Sequence, residues 1–337
     1  MAQLVHDLIS NAAWKNPKEM AFRLIDNALA SQLNYGQLSD GVQAAGQTFL
    51  ALGIKRGERV AVLLDKRAEA LLSMFGALAA GAAFIALDPM LSAEQATLIL
   101  RDSGARVLVT TPRRRAALDP FLARCPELRC VLQTGTRGAA VPSLAVFGWD
   151  DCQCHGGALS APRVSEDEAA VILYQRGAGG RPSASVLSHR TLLDYATRLA
   201  GRLGARAQQR SLALLPFGDG CGLGLLASTF AAGGEALLVN HVLARDIPLL
   251  VAREEVSAMA AQPWLWMQVA ALDWHLSRAL RCVTSTGGTL PRPTLDALRR
   301  RLPLAQIYLM HVRQVSGNEL LVLHPGARVE PLLAVAI

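Results

Sequence analysis

The chain has 337 residues, 51% of them hydrophobic and 18% charged, with a formal charge of +7. That length and apolar content exclude a disordered chain and give room for a large core divided between two lobes. The basic residues are spread out, no run exceeds Arg113, Arg114 and Arg115, and few aromatics interleave with them, which excludes a nucleic-acid surface and leaves a solvated, arginine-rich exterior.

Residues 1–20 lack the charged, apolar and small-residue succession of a secretory leader, and six cysteines in a chain this long suit a reducing interior, so a cytoplasmic protein is expected. The only lysines are Lys15, Lys18, Lys55 and Lys66, so lysine chemistry is excluded beyond Lys66. Apolar spacing predicts a helix over 38–52, a strand over 59–64, a helix from Ala68 and a strand over 84–87. Residues 70–87 carry no charge and approach the length of a spanning helix, but Gly81 divides them into a helix of about three turns and a short buried strand, so no membrane span is expected. A helix over 94–102 and a strand over 106–110 complete a βαβαβ rhythm, which implies a mostly parallel sheet covered on both faces.

Residues 139–162 mix Gly, Pro, Cys and polar residues without periodicity and read as a linker. Cys152, Cys154 and His155 lie together there without a second ligand pair at zinc spacing, so loop thiols are expected rather than a metal site. Beyond it, strands are predicted over 169–174, 211–216, 235–239, 258–261, 280–284 and 307–310, with helices over 190–203, 223–232, 244–254, 264–272 and 293–301. Ser188 is expected to cap a helix and His189 to hydrogen-bond at its start. Asp219 reads as a turn aspartate, and Trp264, Trp266 and Trp274 as core.

The sharpest feature is the strand over 169–174 running into Gly177, Ala178, Gly179, Gly180 and Arg181. Glycines there permit positive φ, and successive N–H groups can cradle an anion. The segment resembles the phosphate loop of the adenylate-forming superfamily, which holds acyl-CoA synthetases and peptide-synthetase adenylation domains. Tyr174, Gly177, Gly180 and Pro182 match its frame, and the likeness runs on through Leu187, Ser188, His189 and Arg190. Other segments agree in order: Asn34 to Leu38, Gly53 to Ala61, Ala77 to Pro89 with Ala86 for a proline, Leu214 to Phe217, and Thr286 to Pro291. Within the superfamily, the wording around Trp264–Trp274 and Tyr308–Met310 is similar to the AMP-forming ligases found with exosortase systems.

The resemblance implies two αβα lobes with mostly parallel sheets, over 1–160 and 161–312, followed by a divergent tail over 313–337. It implies ATP or AMP with Mg as cofactors and a small-molecule carboxylate as substrate. Gly177, Ala178, Gly179, Gly180 and Arg181 would then face the phosphates, Gly287, Gly288 and Thr289 the adenine, and His311 would stand at an aromatic position beside it.

Departures from the family accompany these matches. Its phosphate-contacting hydroxyls fall at Gln175, Arg176, Ala178 and Gly179, its loop lysine at Ser183, the following glycine at Ala184, and its magnesium glutamate at Val315. A serine cannot supply a lysine's charge to a triphosphate. The family's small β-barrel and mobile C-terminal domain, with a second catalytic lysine, are expected to be absent, as after a frameshift or truncation. No catalytic or metal-ligating residue is therefore assigned. Three readings stay open: a degenerate ligase-like protein, an active ligase in which Arg176 or Arg181 serves the phosphates and a partner supplies the C-terminal domain, and a non-catalytic scaffold that binds nucleotide or acyl groups.

Overall fold

A computed structural model describes residues 3–25, 31–138, 144–152, 160–176, 182–274, 277–315 and 318–325; at 176, 311–315 and 318–325 the description is of the backbone. Ten helices appear among them: α1 (Asp7–Lys15), α2 (Tyr35–Ala51), α3 (Ala68–Ala79), α4 (Ala93–Ser103), α5 (Pro112–Leu122), α6 (His189–Leu203), α7 (Gly220–Ala231), α8 (Ile247–Arg253), α9 (Pro263–Val269) and α10 (Arg292–Arg301).

The strands form two sheets. The first has the order β7 (Ala145–Gly148), β6 (Cys130–Gln133), β5 (Val107–Thr110), β3 (Arg59–Leu63), β4 (Ala83–Ala86), β8 (Ala169–Arg176), β9 (Pro182–Ser188). The second runs β15 (Asn318–Pro325), β14 (Gln306–Val315), β13 (Cys282–Thr286), β12 (Ala258–Ala261), β10 (Arg210–Ala213), β11 (Glu235–Leu238), β1 (Met20–Leu24), β2 (Ser31–Asn34). All pairings are parallel except β1–β2, β8–β9 and β14–β15. Helices cover the sheets, and neither sheet closes into a barrel. The sheets interleave along the chain, since β1 pairs with β11 while β8 pairs with β4.

Local chemistry explains most boundaries. Asn34 caps α2 with a reciprocal bond to Gln37, and Ser92 caps α4 in the same way with Gln95. Gly81 has φ +79°, and a Cβ there would come within 2.5 Å of Pro162, so the turn from α3 to β4 needs glycine for both reasons. The fully buried strands β3 to β6 are apolar runs rather than alternating ones, as a sheet covered on both faces demands. The expected linker contains β7, whose Ala145 lies in register with Cys130, and a short turn in which the Cys152 carbonyl accepts from Thr48. Cys154 and His155 lie outside the described residues. Trp266 and Trp274 are core residues, but Trp264 is 54% exposed, because it is the second residue of the short helix α9 and turns outward.

Two polar devices join distant parts of the chain. Glu235 on β11 binds Arg23 of β1 and Arg210 of β10, while Glu254 takes Arg23 at 3.0 Å, which ties the N-terminal hairpin into the second sheet. At the opposite, carboxyl ends of the strands, Lys66 follows β3 and donates from Nζ to the carbonyls of Leu214 at 2.9 Å and Val239 at 2.8 Å. Its backbone N–H and carbonyl pair with the Asn240 side chain at 2.8 and 2.9 Å, so one residue of the first sheet fastens the ends of β10 and β11.

The N-terminus is held differently. Ser188 caps α6, and His189, 1% exposed, accepts the Val5 N–H on Nδ1 at 3.1 Å, with His6 edge-on at 6.4 Å. Burial, aided by the His6 charge, pushes the His189 imidazole down to about 4. A lowered base stabilises the fold fully above its unfolded value near 6.5, and the contribution is lost as pH falls from there through about 4. Protonating Nδ1 also removes the acceptor for Val5. Protection of the α1 amides, taken relative to intrinsic exchange at each pH, is expected to fall on acidification from pH 7 to 5, by roughly 1–3 kcal/mol. His189→Asn should flatten that acid limb; an unchanged α1 exchange profile in the wild type would contradict the assignment.

Candidate active site

Between the carboxyl ends of the two sheets lies a cavity of about 570 Å³. Such crevices beyond the strand ends are where open α/β sheets place their ligands, and the volume is that of a nucleotide-sized pocket. One wall comes from the first sheet: Asp88 just past β4, Gln95 and Leu98 of α4, Tyr174 and Gln175 at the end of β8, and Pro182 at the start of β9. The facing wall comes from the second: Gly218 and Asp219 between β10 and α7, Cys221 in the first turn of α7, Gln262 after β12, and Thr286, Gly287 and Gly288 at the end of β13.

The walls are held by specific contacts. Gly218 lets the β10–α7 turn touch the first sheet, because a Cβ there would sit 2.6 Å from the Ala86 carbonyl. Asp219 is the N-cap of α7 and accepts the Cys221 N–H at 2.7 Å, so the turn aspartate is also a cavity residue. Thr286 donates to Cys221 Sγ at 2.8 Å, which links α7 to β13 beneath the cavity. Gly287 has φ +82°, a conformation that exposes the backbone of this turn to the cavity and penalises any Cβ. Tyr174 donates from its hydroxyl to Asp102 at 2.6 Å. Burial first, then that carboxylate, holds the phenol well above its usual range.

The residues expected from the sequence distribute unevenly. Gly287 and Gly288 are on the cavity wall, and Thr289 follows them as an exposed residue off it. Gly177, Ala178, Gly179, Gly180 and Arg181 lie outside the described residues; the flanking β8 and β9 pair antiparallel with Arg176 opposite Pro182, and Gln175 and Pro182 line the cavity. His311 is placed by its backbone on β14, opposite Val322 of β15, and its side chain lies outside the described residues. Sequence reasoning passed over Asp88, Gln95, Gln262 and Cys221. Each sits within two residues of a strand end or in a first helical turn, which is a topological signal that appears only once strand order is known.

The electrostatics of the described wall are one-sided. Its ionisable side chains include Asp88 and Asp219, and no Lys or Arg is among the described lining residues. No group of three His, Cys, Asp or Glu side chains placed to hold a metal occurs among the described residues.

A two-sheet α/β scaffold with an inter-sheet crevice and a Gly-Gly turn is that of the N-terminal domain of adenylate-forming enzymes. The chain belongs to the AMP-binding enzyme family, whose model matches residues 10–310. The chain is 24% identical to tyrocidine synthase 3 of Brevibacillus parabrevis over 90% of its own length and 4% of that protein. It is 25% identical to L-proline–[L-prolyl-carrier protein] ligase of Streptomyces coelicolor over 80% of its length and 52% of the ligase. Among solved structures, the anthranilate CoA ligase AuaEII in complex with anthranoyl-AMP superposes with a TM-score of 0.85 at 20% identity, covering 98% of this chain and 64% of that one. The inhibitor-bound N-terminal domain of FACL13 from Mycobacterium tuberculosis gives 0.78 at 20% identity, covering 96% and 79%. The chain thus spans about half the proline ligase, and a far smaller share of the multidomain synthase.

Asp219 offers a separable test of cap and charge. Asp219→Ala removes the side-chain acceptor for α7 and is expected to cost about 1 kcal/mol in denaturant unfolding. Asp219→Asn keeps the acceptor and should stay within roughly 0.5 kcal/mol of the wild type. Equal losses in both variants would show that charge, not capping, is what α7 uses.

Proposed function

We propose that this chain is an AMP-binding domain that keeps a cleft for a nucleotide and a carboxylate and has little or no adenylation turnover by itself. In the family, ATP and a carboxylate give an acyl-adenylate and pyrophosphate, and a thiol then accepts the acyl group. That reaction needs preorganised positive charge around the phosphates. The observation that carries the proposal is the described cavity wall, which offers two carboxylates and no cation. The sequence agrees, since Ser183 stands where the family has its loop lysine and no lysine follows Lys66.

Nucleotide and metal fit this site differently. Gly287 and Gly288 give a Cβ-free turn against which a flat base can lie, and Gly288 leaves 3.5 Å to Pro263 for any added carbon. Magnesium finds no ligand at the position of the family's glutamate, where Val315 stands. No step is therefore assigned to a metal. One named relative is an L-proline ligase, and anthranoyl-AMP occupies one neighbour structure, so a small carboxylic or amino acid is the substrate class we assign to the cleft.

A second reading, an active ligase completed by a separate polypeptide, is favoured by one surface feature. Trp264 and Met267, 54% and 49% exposed, lie one turn apart on α9 directly after the cavity residue Gln262. Pyrophosphate release with ATP, magnesium and a panel of carboxylic and amino acids decides between the two. The purified chain is expected to give at most background release, while AMP or an acyl-adenylate analogue binds in calorimetry. Robust turnover by the chain alone would overturn the proposal, and turnover only with an added partner, lost in Arg181→Ala, would establish the second reading.

A further inference from the structure

Lys66 does more than join the sheets. Lys15, Lys18 and Lys55 are exposed, whereas Lys66 is 9% exposed. An ammonium carries three donors, and a neutral amine carries two donors and a lone pair. The two carbonyls of Leu214 and Val239 satisfy both N–H bonds of the neutral form. The remaining tetrahedral position is then left to the lone pair, while the ammonium must bury a third N–H. Burial pushes the amine down to about 8 from an ordinary 10.5, with the Asp65 carboxylate opposing.

A cavity of about 150 Å³ lies against Lys66, with Asp65, Asp88 and His241 as its other titratable side chains. It shares Ala86, Asp88, Pro216 and Gly218 with the larger cavity, so the two are separated by one wall. The volume takes an acyl group of a few carbons. An amine desolvated in this way is a nucleophile near neutral pH.

We propose that Lys66 is a site of N-acylation by acyl phosphoanhydrides, the class that includes acyl-adenylates and acyl phosphates. The Nζ lone pair attacks the acyl carbon and forms the C–N bond. The bond from that carbon to the phosphate oxygen breaks, and AMP or phosphate leaves with the electron pair. The proton shed by nitrogen passes to water. The product amide has one N–H, so it can serve only one of the two carbonyls, and it carries no charge. Acylation therefore loosens the fastening between the sheets that form the larger cleft, giving an acyl-adenylate supplied to that cleft a route to control it. That last role rests on the nucleotide-cleft reading; the reactivity of Lys66 towards acyl phosphate does not.

The test incubates the full chain with acetyl phosphate, and separately with acetyl-adenylate, between pH 6.5 and 10, and maps acetylation at the four lysines by mass spectrometry. At pH 8 Lys66 is expected to label about tenfold faster than each exposed lysine, its larger free-amine fraction being partly offset by lower basicity. Its rate should level off above about 8, while the others climb towards 10.5. Labelling by both donors, or by acetyl phosphate alone, supports the site, and the latter counts against nucleotide delivery. Labelling by acetyl-adenylate alone supports both. Modified Lys15, Lys18 and Lys55 with unmodified Lys66, or a Lys66 rate that still rises at pH 10, overturns the proposal. Lys66→Arg should lose the adduct, and the wild-type pH profile decides the matter if that variant does not fold.

Discussion

The fold and its crevice both depend on how the ends of two parallel sheets are held together. Neither sheet reaches the other through strand pairing, so the joint must come from side chains and from close backbone approach. Lys66 and Asn240 provide four hydrogen bonds across it, and Gly218 lets the β10–α7 turn lie against Ala86 without a Cβ in between. Buried carbonyls at strand ends have no ladder partner and must be satisfied elsewhere. A lysine reaching across the joint satisfies two of them at once, at the cost of desolvating its own charge. That cost appears in the depressed basicity of Lys66, and it is tolerable because the neutral form loses neither bond.

This arrangement explains why the crevice is where it is. The strands of both sheets point their carboxyl ends at the joint, and the turns that leave them carry Asp88, Asp219, Gln262 and Gly287. A change at the joint moves both walls together. The amino ends of β10 and β11 are fastened to β1 and to one another through Arg23, Arg210, Glu235 and Glu254, and their carboxyl ends by Lys66.

How much of this was legible in the sequence depended on whether the signal was local. The helices with caps, such as α2 at Asn34 and α6 at Ser188, and the buried strands with continuous apolar runs, such as β3 and β11, could be read from composition and spacing. Short strands with weak patterns could not: β7 sits in a segment rich in Gly, Pro and Cys, and β9 reads polar because it is an edge strand exposed along part of its length. The exchange of partners, with β8 joining β4 and β1 joining β11, left no local trace at all. The Gly-Gly turn of the site was legible through the resemblance of Thr286 to Pro291 to a family segment, whereas Asp88 and Gln95 became site residues only through tertiary placement.

The same distinction bears on how a chain can keep its family's fold while single side chains in its sequence differ. Core strands, capped helices and the Gly218 and Gly287 turns are demanded by packing and backbone geometry, so replacing them destabilises the protein. Ser183 and Val315 stand where the family has side chains that contribute charge to a reaction, and replacements away from the packed core cost a fold little. Removing cations from a phosphate site can even relieve repulsion among like charges. A cleft lined by few cations suits an uncharged base and an acyl chain better than it suits a triphosphate.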